Sequence, residues 1–291
     1  MSVADSVPAE LLDYIIRNLV PPPTEVYDRT KLSWDLHTDK RDLASVALVS
    51  RTWRACALPY LFREIAIHHH PDYVTDTSGV LRGLEYLLRG KKTVRSLLEF
   101  LHLHPTICSY VERLSLQPML NCPAEMRAYM LDWNAYMTNL VIDSKLLVGI
   151  IKCLPRLRIL TMVDLELTPF PREHANVDTL YLGLCYKSHD LIKDLSCFTS
   201  IKNLHVIVPN GHTILGSNVI PAKTMRSFSV ESFSIEGDVQ LPLFANLFSS
   251  SQCLHTLQSS MRGIEDMAKL YVQDPSPIRQ PLRRLDTSPS S

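Results

Sequence analysis

Glycine is scarce, at 9 of 291 residues. Loops that cradle phosphate need glycine so that backbone amides can close on the anion. Neither a Walker loop nor a dinucleotide fingerprint occurs, and no G-x-S-x-G elbow offers a serine nucleophile. No two of the 7 cysteines stand at C-x-x-C spacing, which removes the common zinc and dithiol motifs. Those cysteines (Cys56, Cys108, Cys122, Cys153, Cys185, Cys197 and Cys253) are odd in number, scattered and mostly set in apolar runs. They read as buried free thiols of a reducing compartment, not as a disulfide framework.

Long hydrophobic runs are also missing. LLVGII at 146–151 is among the longest, far short of the roughly 20 residues of a membrane span. Asp5 and Glu10 come before the first apolar stretch, with no basic lead and no small-residue cleavage pattern, so no secretory signal is expected. Net charge is zero, from 30 basic and 30 acidic residues, which argues against a general binder of nucleic acid or anionic membrane. What is present is 46% hydrophobic and 21% charged, the composition of a globular chain with room for one or two cores. The expected compartment is cytoplasmic, nuclear or both.

The N-terminus carries two amphipathic patterns. In the first, Ser6 is a candidate cap and Pro8 and Glu10 suit a first turn. Leu11, Leu12, Ile15, Ile16 and Leu19 follow at three-to-four spacing and make one broad apolar face. Pro21, Pro22 and Pro23 end it, since none donates a backbone hydrogen bond. Residues 24–40 read as a polar loop holding Trp34. Asp42 is a candidate cap for a second helix running through Leu43, Val46, Ala47, Val49 and Ser50, with Trp53, Leu58, Leu61 and Phe62 extending its apolar set. Two such helices have more apolar surface than they can bury against each other, so this end of the chain is expected to dock on something.

VPAELLDYII resembles the opening of an F-box, usually written LPxELLxxI, and DLASVALVSRTWRACALPYLFREIAI resembles its second half, with L-V-S-R-x-W at 48–53. The resemblance covers about residues 6–67. It departs from the family at Val7, where Leu is usual, and in a longer loop at 21–40. It implies that the module binds a Skp-family adaptor and, through it, the cullin of a ubiquitin ligase. The residues assigned to that contact are Pro8, Leu11, Leu12, Ile15, Ile16, Leu48, Val49 and Trp53. Some of these must form the module's own core.

Downstream, a pattern of apolar, two variable, apolar, one variable, apolar recurs. It is centred on Leu114, Leu140, Leu160, Leu180, Leu204, Phe233 and Leu257, at intervals of 26, 20, 20, 24, 29 and 24. These lie in the 20–29 range of leucine-rich repeats, in which each unit is a short strand and a returning leg that bury their apolar sides only by stacking. The segments 94–104, 146–155, 191–198 and 241–248 fit returning legs. The usual Asn or Cys at the turn is lacking, so the repeats are read as irregular. The fold class is α/β: a small all-helical F-box module at 1–67, a connector at 68–92, an irregular leucine-rich-repeat solenoid at 93–272, and a Pro/Ser-rich disordered tail at 273–291. An unrelated α/β domain is the competing fold.

No catalytic set, metal site or cofactor is expected. His68, His69 and His70 are adjacent and point different ways, so they do not converge on a metal. His102 and His104 lie two apart in a helical pattern and do not share a face. Asp164 and Glu166 share a strand face through the period of two, without a cleft. The basic clusters at 89–92 and 279–284 read as solvated surface. The variable strand positions Arg158, Thr161, Thr179, Tyr181, Lys202 and His205 are the candidates for holding a target protein. The chain thus reads as a substrate-recruiting, non-enzymatic F-box subunit, with no nucleic-acid or membrane partner. The alternatives are an F-box-like scaffold outside ubiquitination and, further off, an α/β enzyme.

Overall fold

Pro8 holds the N-cap position of helix α1 (Ala9–Leu19), with φ −55° and ψ 142°, and Glu10 lies in the first turn. Ser6, the expected cap, lies outside the residues that the computed structural model describes: 7–20, 34–69, 94–118, 140–163, 165–168, 174–183, 195, 197–207, 229–236, 256–259 and 284–286. After α1 the chain turns extended at Val20, as the residue before a proline must to avoid its ring.

The second expected helix is two helices. α2 (Trp34–Val46) starts inside the stretch read as loop, so Asp42 lies within a helix and caps nothing. The chain then tightens through Leu48 N–H to Ser45 O and Val49 N–H to Val46 O, and Ser50 caps α3 (Arg51–Leu61) by accepting from the Trp53 amide. Ile16, Leu43, Ala47 and Ala57 form the core of this three-helix module, with Leu19, Val46, Cys56 and Leu61 packed around it.

Strand β1 (Glu64–His69) follows α3 within three residues. It takes in His68 and His69, which were expected in a connector. β1 is the edge of an eight-stranded sheet that continues with β2 (Arg113–Pro118), β4 (Ile159–Val163), β6 (Ala175–Gly183), β7 (Phe198–Ile207), β8 (Ser229–Glu236), β9 (Thr256–Ser259) and β10 (Arg284–Asp286). Every neighbouring pair is parallel, and the strands lie in chain order. β10 falls in the stretch read as a disordered tail.

Burial of one residue on each of β2, β4, β6, β7 and β8 explains their alignment. Leu114, Leu160, Leu180, Leu204, Phe233 and Leu257 stand opposite one another in successive pairs, and Ile65 and Leu285 extend the column at either end. Leu160, Leu180 and Leu204 are completely buried, each contributing about 1.5–3 kcal/mol of transfer free energy. Six of the seven expected repeat centres thus share one ladder. Leu140 departs: its strand β3 (Leu140–Ile142) pairs instead with β5 (Leu165–Leu167) in a separate two-stranded sheet, so β2 and β4 meet directly.

Helices cover the ladder's buried side. α4 at 94–103 contributes Val94, Leu97 and Leu101; the short α5 (Pro105–Cys108) contributes Cys108; and α6 (Ser144–Cys153) contributes Leu147, Val148, Ile150 and Ile151. Asp143 caps α6 by accepting from Lys145 N–H at 2.9 Å, and Lys152 sits in its last turn, both favoured by the helix dipole. The returning legs expected at 94–104 and 146–155 are therefore helical, whereas most of 191–198 and all of 241–248 lie outside the described residues. No described helix is long and apolar enough to cross a membrane.

At Gly183 the sheet is tight. A Cβ there would stand 3.1 and 3.2 Å from the two methyls of Val163, its register partner. Gly183→Ala is expected to destabilise the chain by about 1 kcal/mol or more through overpacking. Adding Val163→Ala should recover part of that loss, and denaturant melts of the single and double variants check both expectations.

Candidate interaction surfaces

The module divides the eight residues assigned to docking. Leu12 and Ile16 are fully buried and belong to its core, whereas Pro8, Leu11, Leu48 and Val49 are exposed, and Ile15 and Trp53 are half-buried. Among the described residues five large hydrophobic side chains are exposed: Leu11 (50%), Tyr14 (66%), Leu48 (77%), Val49 (54%) and Leu103 (76%). Four of the five therefore sit on α1 or the α2–α3 turn. Tyr14 lay one turn from Leu11 and was missed; its three-residue spacing from Leu11 was the available signal.

A polar latch fixes α1 against α3. The Tyr60 hydroxyl donates to Asp13 Oδ1 at 2.7 Å, Arg17 Nε donates to the Tyr60 oxygen at 3.0 Å, and Arg17 pairs with Asp13 at 2.8 Å. Burial pushes the Tyr60 phenol above its ordinary range, and the bond to Asp13 adds to that. Two further contacts fasten the module to the sheet. Lys40 Nζ donates to Glu64 O, and Arg63 pairs with Glu112 at 2.9 Å across the start of β1 and β2. Burial lowers the Lys40 ammonium below its ordinary value, against a weaker upward pull from Glu64.

The open face of the sheet carries a second surface. Its outward positions include Thr161, Tyr181, His205, Ser234 and Arg113, Ile159, Thr179, Asn203, Ser232. Three side-chain pairs link β6 to β7, with the buried Leu180–Leu204 rung among them. Lys202 pairs with Asp178 at 2.6 Å, Asn203 donates to Thr179 at 3.3 Å, and the rings of Tyr181 and His205 stack with centroids 4.5 Å apart and planes 12° apart. On the flanks, Arg158 reaches Asp178 at 3.8 Å and Ser234 meets His205 Nδ1 at 3.1 Å.

All six residues assigned to target binding thus fall on or beside one network. Thr161 stands opposite Tyr181, Thr179 holds Asn203, and Arg158 and Lys202 share Asp178. Asp178, Asn203 and Ser234 were missed, although they occupy variable positions of the same pattern. Reading the repeat in columns rather than unit by unit would have found them. Among the described residues no group of three His, Cys, Asp or Glu is placed to hold a metal. Cys108 and Cys153 have thiols pushed up by burial, opposite to what a nucleophile needs.

Two outcomes follow. Tyr60→Phe is expected to lower the melting midpoint by about 2 °C through the lost hydrogen bonds, with only the small further loss of the exposed Arg17–Asp13 pair when Asp13→Asn is added; a double-mutant melt series reads this. His205 is held below its ordinary pKa by burial, so the folded state favours the neutral ring. That contribution is whole above about pH 6.5 and is lost as pH falls through the unfolded value toward the folded one. Melts at pH 7.5 and pH 5 should show a smaller acid-induced drop in His205→Gln than in the wild type.

No family model matches the chain, and neither the curated proteins nor the solved structures contain a match to it.

Proposed function

We propose that the chain is a two-ended adaptor: an F-box subunit that docks a Skp-family protein, and through it a cullin–RING ligase, by its helical module, and recruits a target protein by its sheet. The observation that carries this reading is the placement of Leu11, Tyr14, Leu48 and Val49, exposed on a module whose own core is already filled by Ile16, Leu43, Ala47 and Ala57. Aliphatic and aromatic side chains left in water beside a complete core are the anchors of a helix-in-groove contact. They fall on the segments that resemble the F-box. The sheet supports the second half of the reading. Parallel strands in chain order, with buried partners such as Leu160–Leu180 and Leu180–Leu204 standing 20 and 24 positions apart, fit an irregular leucine-rich-repeat solenoid. In this reading the protein is intracellular and performs no chemistry, and ubiquitin transfer belongs to other subunits.

The test is copurification of the purified chain with a Skp-family adaptor and a cullin. Leu48→Asp with Val49→Asp is expected to abolish adaptor capture while leaving the melting curve in place, since both side chains face water. Leu12→Asp should unfold the module, because that side chain is fully buried. Wild-type chain that fails to capture the adaptor would remove the reading. Capture of the adaptor without the cullin would favour a scaffold outside ubiquitination.

A further inference from the structure

The geometry points to an acidic peptide segment as the occupant of the sheet's open face, its carboxylates held by Arg158 and Lys202 and its adjoining residue laid on the Tyr181–His205 stack. The inference rests on reading the sheet as the cargo-binding end of the proposed adaptor and names the class of cargo.

The charge arrangement carries it. Arg158, the residue just before β4, meets Asp178 on β6, which Lys202 on β7 also reaches: two cations about one carboxylate. Asp178 is held tightly by Lys202 at 2.6 Å and loosely by Arg158 at 3.8 Å, and the Arg158 side chain is 71% exposed. One positive charge is therefore in excess here, with the guanidinium fork turned to solvent and suited to a second carboxylate. The neighbouring charges confine this excess. Toward β1, Arg113 stands in register with Glu64, and Arg63 is paired with Glu112. Toward β8, Glu231 is exposed and repels an acidic ligand. The favourable strip is thus β4 to β7.

The rungs next to the cations supply the remainder. Asn203 already donates to Thr179, and Tyr181 and His205 are stacked and half-buried before any partner arrives. Binding orders little, which lowers its entropic cost. A ring pair with an amide and hydroxyls around it has the chemistry of a peptide-contact surface.

The experiment measures fluorescence anisotropy of labelled peptides against the full chain at rising salt. The probes are a short Glu/Ser peptide with a central Tyr and its Gln-for-Glu and Lys-for-Glu versions. The Glu probe is expected to bind at least about tenfold tighter than the Gln probe and to weaken with salt, with the Lys probe unbound. Arg158→Glu with Lys202→Glu should abolish binding. Tyr181→Ala should weaken it several-fold without changing the salt slope. Asp178→Asn is the decisive variant: it removes the competing carboxylate and should tighten the Glu probe about threefold or more, whereas a purely structural role for Asp178 predicts weakening. The proposal is overturned if the Glu probe fails to bind, if all three probes bind alike, if Asp178→Asn weakens binding, or if a single-stranded oligonucleotide binds as well as the Glu probe. Adaptor capture by the helical module, scored on the same preparation, separates this failure from failure of the adaptor reading.

Discussion

Every contact on the open face depends on the buried column beneath it. Leu114, Leu160, Leu180, Leu204 and Phe233 meet in register because each must leave water on the same side. In a strand the next residue points the other way, so a slip of one position would turn this column outward and bury Tyr181 and His205. The ladder thus fixes which side chains meet on the surface. Lys202 reaches Asp178, Asn203 reaches Thr179 and His205 stacks on Tyr181 because Leu204 is opposite Leu180. The surface ion pair contributes little to stability; its value lies in arranging charge on a face whose geometry the core has already set.

The helical module shares that frame. Only Phe62 and Arg63 separate α3 from β1, and Lys40, Arg63 and Glu112 bind the junction. Within the module the Asp13–Arg17–Tyr60 latch sets α1 against α3, and so fixes how Leu11 and Tyr14 are presented. The polar contacts have the same part at both ends of the molecule: they hold a few exposed side chains in place on a core that is filled without them.

Much of this was legible in the chain. The apolar spacing about Leu160, Leu180, Leu204 and Phe233 records burial on one side and marked the strands correctly. That spacing cannot name a strand's neighbour, and so Leu140, which has the same pattern, was placed in the main sheet although it pairs with Leu165. In the module, Leu11 and Leu12 are adjacent on one broad apolar face; which of them is buried depends on where α3 packs, a tertiary fact. The break between α2 and α3 was hidden because Leu48 and Val49 continue the helical rhythm while in fact standing in water. β1 was overlooked because Glu64–Ile67 closes the F-box-like segment and was read as its end. The cross-strand partners Asp178, Asn203 and Ser234 became visible only once register placed them beside residues 24 to 29 positions away.

The proposed function requires the helical module, and not the sheet, to be the end that meets a Skp-family adaptor. Hydrogen–deuterium exchange of the full chain with and without that adaptor tests this most directly. The account predicts new protection confined to residues 9–19 and 44–53, with exchange in β4, β6 and β7 unchanged. Protection of those strands with none in the helices, or no protection anywhere at saturating adaptor, would contradict it.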